Sequence, residues 1–257
     1  MSTIALAARD SSTMVRRQLK RLLRYPSMTV QLVITPVIIL LLFVYVLGGT
    51  LGNGLGGGRD VYVNYVVPGI LLMAAATAAT GTAVMVASDM TEGIVARFRT
   101  MRISRASVLT GHVVGSVIQQ LLGMAVLIGI ALAIGFRPNA TAVEWLAATG
   151  MLTMFVVAVT WLSVALGLKS PTPEAASNAP MPLILLPFLG SGFVPTDSMP
   201  TALRWFAEYQ PFTPIMETVR GLLLGTPIGN SAAIALAWCA GIGAGSYLWA
   251  KRTYNKA

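Results

Sequence analysis

The sequence predicts an all-α membrane protein with six transmembrane helices and both termini in the cytoplasm, and three observations carry that prediction. Hydrophobic residues make up 55% and charged residues 11% of the 257 residues, whereas soluble domains carry about 25% charge. Apolar stretches follow one another with little polar sequence between them, so a single membrane domain is expected. Basic residues gather at the ends of alternate stretches, which fixes an orientation.

Six stretches meet the roughly 20 residues needed to cross the hydrocarbon. They lie at 27–48, 61–88, 106–136, 145–168, 175–194 and 229–250. The second and third exceed one crossing, which implies tilt, extension beyond the membrane or a break. The fifth carries Pro180, Pro182 and Pro187, each removing an amide donor that a plain lipid-facing helix needs.

With the N-terminus inside, the cytoplasmic segments hold Arg9, Arg16, Arg17, Lys20, Arg21, Arg24, Arg97, Arg99, Arg102, Arg105, Lys169, Lys251, Arg252 and Lys256, or 14 of the 18 basic residues. Only Arg59, Arg137, Arg204 and Arg220 fall outside. The acids split four inside to five outside, as expected of a rule driven by Lys and Arg. The net charge of +9 therefore orients the chain in a membrane and gives no sign of nucleic-acid binding. No short apolar core with a small-residue cleavage site precedes the first stretch, so no cleaved leader is expected and the first span serves as the targeting signal.

The N-terminal residues 1–26 contain an amphipathic segment. On a helical wheel Arg16, Arg17, Lys20, Arg21 and Arg24 share an arc of about 140°, with Val15, Leu19, Leu22 and Leu23 opposite. Such a helix can lie in the inner interface with its leucines sunk and its basic face on anionic headgroups, or simply supply positive-inside charge. Pro26 ends it, the membrane domain runs over 27–250, and residues 251–257 form a cytoplasmic tail.

Two connections are richer than links. The cytoplasmic one, 89–105, alternates Ile94, Val95, Phe98 and Met101 with Arg97, Arg99 and Arg102 at near-helical spacing, which predicts a short basic amphipathic helix. The outer one, 195–228, offers a helix over 199–208. A second follows, with Thr213 as N-cap, Pro214 at its first position and Gly225 as its stop. About ten residues per helix cover roughly half the hydrocarbon, which predicts two half-helices re-entering from outside. Arg204 with Glu208, and Glu217 with Arg220, have the spacing of neutralising pairs.

These two connections, placed between these spans, resemble the permease subunit of type 2 ATP-binding-cassette exporters, and most closely the daunorubicin-resistance-type drug exporter permease. The resemblance covers nearly the whole chain: the basic N-terminal helix, EGIVARFRTMRISR from Glu92, FVPTDSMP from Phe193 and QPFTPIMETVRGLLLG from Gln210. It implies that Glu92, Gly93, Arg97, Phe98, Arg99 and Arg102 form a coupling helix resting on a separate ATPase. It implies equally that Pro211, Glu217, Arg220 and Gly221 belong to an outer re-entrant gate. Many relatives have proline at the position of Arg102, and Asn-Pro where Gln210 and Pro211 stand.

The chain itself shows no glycine-rich loop ending Gly-Lys-Ser/Thr before a helix; Gly167, Leu168, Lys169 and Ser170 only brush that pattern at a membrane boundary. ATP and Mg²⁺ are therefore expected in partner ATPase chains, with no cofactor, metal or catalytic residue here. His112 and Cys239 are the only histidine and cysteine; the bland account is an interfacial or packing histidine and a small buried hydrophobe. No charge falls in mid-span, which argues against a proton-coupled carrier and suits lipophilic cargo. Thr77, Thr80, Thr82, Gln119, Gln120, Thr160 and Ser163 are the polar groups available to line a path or to bond a neighbouring helix. Gly111 with Gly115, and Gly241 with Gly245, allow close helix approach within the subunit or between subunits.

The sequence thus predicts a permease exporting a hydrophobic drug, antibiotic or lipid, completed by a second permease and two ATPase copies, with lipids as its surroundings. A polysaccharide or glycolipid exporter of the same family, or a non-transporting membrane assembly factor, is the alternative. Arginine outnumbers lysine 14 to 4, which suits a GC-rich bacterium and its cytoplasmic membrane.

Overall fold

The computed structural model describes residues 26–91 and 105–256. The interfacial residues Arg16, Arg17, Lys20, Arg21 and Arg24, and the coupling residues Glu92, Gly93, Arg97, Phe98, Arg99 and Arg102, lie outside the described residues. All regular structure in the described part is helical.

The first stretch is helical from α1 (Pro26–Leu41), through a π-helical segment (Leu42–Leu47), to α2 (Gly48–Gly54). Pro26 is its first described residue, and Pro36 lies inside. The long α3 (Gly58–Thr91) follows. At 1.5 Å per residue it is roughly 50 Å long, well beyond the hydrocarbon, as the excess length of that stretch predicted. Next come α4 (Arg105–Ala133) and α5 (Ala142–Lys169). A capping box starts α5: Thr141 Oγ1 accepts from the Glu144 amide, and Glu144 Oε2 accepts from the Thr141 amide at 2.7 Å. The last described helix, α10, runs Ser231–Lys256, so the predicted tail continues that helix through residue 256.

Among the described residues five helices are long and apolar enough to cross a membrane: Val33–Gly54, Gly58–Thr91, Val113–Ala133, Ala142–Lys169 and Ser231–Tyr254. The stretch at 175–194 is not among them. It forms the short α6 (Pro173–Asn178) and α7 (Met181–Leu185), followed by turns. Its three prolines, together with Gly190 and Gly192, explain the break, because each proline leaves a carbonyl one turn earlier without a helical donor.

The broken segment nevertheless follows the length of α3. Near its start Ala176 packs with Ala83 and Ala87; near its end the Phe193 carbonyl accepts from Tyr62 Oη at 3.1 Å. Those levels lie roughly 30–35 Å apart along α3.

The core lies where α3 and α5 pack on each other. Two-thirds of the most apolar window of each is buried, against 22% for the first span and 17% for α10. Ile34, Ile38, Tyr45 and Val46 of the first span, and Leu236, Trp238 and Leu248 of α10, face outward, as an apolar solvent permits.

Among the described residues Gly241 and Gly245 have nothing within 4 Å of an added Cβ, so they make no close approach there. Gly243, on a different face, is the glycine of α10 that meets α5, at Ala158. Close backbone contact is made instead by Gly69 against Gly192 and by Gly167 against the Ala83 carbonyl.

Candidate functional site

Between the broken segment and α10 lie a 3₁₀ turn (Thr196–Ser198), α8 (Thr201–Tyr209) and α9 (Phe212–Leu224). Helix α8 is amphipathic. Arg204 pairs with Glu208 at 2.7 Å, as its spacing predicted, and with Asp197 at 2.6 Å. Leu203, Trp205, Phe206 and Tyr209 are exposed, while Ala207 is buried.

The N-cap of α9 lies two residues earlier than the predicted Thr213. The Gln210 amide oxygen accepts from the Phe212 N–H at 3.2 Å and does the capping, Pro211 sits at the N-cap position, and Thr213 falls inside the helix. Gly225 ends α9 as predicted, with φ of 72°, a left-handed conformation that glycine adopts without strain.

The depth of α9 is set by contacts at its two ends. Phe212 packs edge-on against Phe155, centroids 5.1 Å apart, and Phe155 is halfway along α5. The Leu223 carbonyl accepts from the Asn139 N–H at 3.0 Å, just before α5 begins. Helix α9 therefore runs beside one half of α5, a distance of roughly 20 Å.

Ten of the thirteen residues of α9 are buried, Arg220 among them. Its Nη2 donates to the Ser191 carbonyl at 2.7 Å and to the Tyr65 carbonyl at 3.2 Å, Nε donates to Tyr65 at 3.3 Å, and the guanidinium carbon stands 3.9 Å from the Tyr65 ring centre. The predicted pairing with Glu217 is not formed; Glu217 Oε2 accepts from Ser231 Oγ at 3.0 Å, at the start of α10. Two carbonyls and a ring face satisfy the fork of Arg220, which leaves the half-buried carboxylate for the nearest hydroxyl.

Around Arg220 the turns after α7 are held by side chains from two helices. Tyr65 Oη donates to the Ser191 carbonyl at 2.8 Å, the Ser191 N–H donates to Thr213 Oγ1 at 3.2 Å, and Gln210 Nε2 donates to the Leu186 carbonyl at 3.1 Å. Gly190 and Gly192 admit this packing: a Cβ on Gly190 would strike Gln210 and Thr213, and one on Gly192 would strike Met216. Gly221 is needed likewise where residues 226–228 fold back over α9, since its Cβ would meet Ile228 and the Thr226 carbonyl. The structure thus brings Pro211, Arg220 and Gly221 into one element with Tyr62, Tyr65, Ser191, Gln210 and Thr213, a set not foreseen as a cluster. Its signals were two tyrosines one turn apart on α3 and a Gly-Ser-Gly after three prolines.

The predicted path residues are scattered. Thr77, Thr82, Thr160 and Ser163 each donate to the carbonyl four residues earlier in their own helix. Gln120 and Thr160 are the pair that joins two helices, through Gln120 Nε2 and Thr160 Oγ1 at 3.1 Å. Thr80 Oγ1 is buried without a partner; Gln119 is half-buried on α4.

Long apolar helices and a buried, hydrogen-bonded break describe a polytopic membrane protein, and the model of the ABC-2 type transporter family matches residues 10–224. The chain belongs to that family. Among similar ABC-2 proteins is the daunorubicin resistance ABC transporter permease protein DrrB1 of Streptomyces coeruleorubidus, 26% identical over 224 residues, covering 86% of this chain and 77% of the relative. Another is the probable doxorubicin resistance ABC transporter permease protein DrrC of Mycobacterium tuberculosis, 26% identical over 211 residues, covering 82% and 76%. The match extends through α9, so the Arg220 cluster lies within the ABC-2 region.

Proposed function

We propose that this chain is the membrane-spanning subunit of an ATP-driven exporter of hydrophobic drugs, antibiotics or lipids. The match of residues 10–224 to the ABC-2 type transporter family carries this proposal, and the drug-resistance permeases among its relatives narrow the cargo class. Hydrolysis of ATP with Mg²⁺ takes place in two copies of a partner ATPase. A second permease, either another copy of this chain or a related one, completes the pathway.

The chain crosses the cytoplasmic membrane of a bacterium six times, with both termini inside. The fifth crossing is the broken segment, supported by its 30–35 Å course along α3, about the thickness of the hydrocarbon. Helices α8 and α9 re-enter from outside, supported by the reach of α9 to mid-depth on α5 and no farther. In this arrangement Arg220, Gly221, Glu217 and Pro211 belong to the outer gate. Residues 92–105, with Glu92, Gly93, Arg97, Phe98, Arg99 and Arg102, rest on the ATPase and transmit its cycle.

The test is reconstitution with a candidate partner ATPase, sought first in the genes immediately beside this one. Inside-out vesicles holding both chains should take up doxorubicin when ATP is added, and the Arg97→Ala, Phe98→Ala double variant should insert normally but lose ATPase association or uptake. If the two chains neither bind nor alter hydrolysis, the exporter proposal fails; unchanged uptake by the double variant removes the coupling role alone.

A further inference from the structure

The end of the bundle where α5 and α10 both stop carries exposed cations from two helices. The helices run in parallel there: Ala158 meets Gly243, Trp161 packs edge-on against Tyr247 with centroids 5.0 Å apart, and Leu168 shares a buried cluster with Tyr254. Lys169, the last residue of α5, reaches back until its ammonium stands 5.8 Å from the centre of the Trp249 ring. Arg252 comes three residues after Trp249, a spacing that makes the two neighbours on one face of α10, and Lys251 adjoins it. All three cations are exposed, and Trp249 is half-buried against the same cluster as Leu168 and Tyr254.

Among the described residues the ion pairs are those of Arg204 with Asp197 and Glu208, so none of these three cations has a carboxylate partner there. Glu174, the exposed acid nearest to Lys169 in the chain, lies in the first turn of α6 and is not paired with it. Toward the middle of α10 the surface changes character. Leu248 and Gly245, one and two turns before Arg252 and within an arc of about 60° with it, are exposed. The patch thus has a cationic head, a tryptophan at the boundary and an apolar face beyond. Tryptophan, with its apolar body and polar N–H, favours the headgroup level of a membrane. An anionic phospholipid matches all three parts, whereas a soluble anion would use the cations alone.

We propose that Lys169 and Arg252, on either side of Trp249, bind the phosphate of an anionic phospholipid of the inner leaflet, whose acyl chain lies against Leu248 and Gly245. Both side chains are long enough to close on one phosphate from their two helices, and charge-assisted bonds to it are the strong kind. Only 17% of the most apolar window of α10 is buried, so a lipid held jointly by α5 and α10 adds a tie where the protein supplies little packing of its own. The leaflet, though not the site, rests on the orientation proposed above.

The test reads lipid at one position. Leu248→Cys, in a Cys239→Ala background, is labelled with the fluorophore NBD and placed in vesicles of phosphatidylcholine and phosphatidylglycerol, with a quenching nitroxide on the chain of one lipid or the other. Phosphatidylglycerol should associate at position 248 about fivefold more strongly than phosphatidylcholine, the effect of one basic side chain near a charged surface. The same label on Leu236→Cys, exposed in the other half of α10, should show the two lipids within about twofold, the scatter allowed around no electrostatic preference. Lys169→Gln with Arg252→Gln should abolish the preference at 248, and Lys169→Arg with Arg252→Lys should keep it. Equal quenching by the two lipids at 248 would overturn the site. So would an equal preference at 236, or a preference that survives the glutamine pair. Lys251→Cys in whole cells should react with an impermeant maleimide only after permeabilisation. Reaction from outside would remove the proposed orientation and the inner leaflet with it, and would leave the lipid site to the quenching result, which does not depend on sidedness.

Discussion

Arg220 is the fastener of α9, and the strength of the fastening can be worked out from its contacts. Replacing it with lysine keeps the charge but loses the fork that reaches the Tyr65 and Ser191 carbonyls together, and loses most of the stacking on Tyr65. Hydrogen bonds between membrane helices are worth about 0.6 kcal/mol on average and up to about 1.7. A desolvated cation–π contact adds up to about 2 kcal/mol. One retained ammonium bond offsets part of this, leaving a net loss of about 2.5 kcal/mol, or roughly a 60-fold rise in the undocked population of α9 at 1.4 kcal/mol per tenfold. Met216 is fully buried beside Gly192, so a cysteine there, in a Cys239→Ala background, reports undocking through its rate of maleimide labelling. Arg220→Lys should raise that rate roughly 60-fold, while a cysteine at Ala165, buried in a separate cluster with Ala250 and Tyr254, should stay unlabelled. A rise at position 216 of less than about threefold, against the estimate from the same contacts, would show that Arg220 does not hold α9.

A matched pair of glycines tests the packing of the broken segment. Gly69→Ala places a Cβ 2.5 Å from the Gly192 carbonyl oxygen and should destabilise by about 1–3 kcal/mol, seen as a lower unfolding temperature in detergent. Gly241→Ala has open space around it and should be neutral or stabilising by up to about 1 kcal/mol, the helix-propensity difference. Thr141→Ala removes the N-cap of α5 and should cost about 1 kcal/mol, read as faster hydrogen exchange at the amides of residues 143 and 144 with no change at the far end of α5.

Helix positions were legible in the sequence because apolar length and charge are local properties. The fourth stretch, read as 145–168, is Ala142–Lys169, and the difference is the capping box at Thr141 and Glu144, whose apolar surroundings hid it. The three prolines announced a break at 175–194 but not its course. That course depends on hydrogen bonds between residues 126 and 131 positions apart in the chain, which no window of sequence contains. Arg220 shows the same limit: spacing offered Glu217 as its partner, while the fold brings two carbonyls and a ring face closer. For the glycines of α10, spacing left open whether they pack within the subunit or between subunits, because it does not say how a helix is rotated; within the subunit it is Gly243 that faces α5.

A buried segment without a continuous helix needs donors for the carbonyls it frees, and here they come from two sides. The Phe193 and Ser191 carbonyls are bonded by Tyr62 and Tyr65, both on α3. The Leu186 carbonyl is bonded by Gln210, just before α9, and Ser191 receives a second bond from Arg220 on α9. If α9 swings away, the segment keeps its two tyrosine bonds to α3 and the Leu186 carbonyl keeps the Leu189 N–H at 3.1 Å, while the Ser191 N–H loses Thr213 Oγ1. The tyrosines tie the broken segment to α3, and α9 is held to that segment through Arg220, Thr213 and the preceding Gln210.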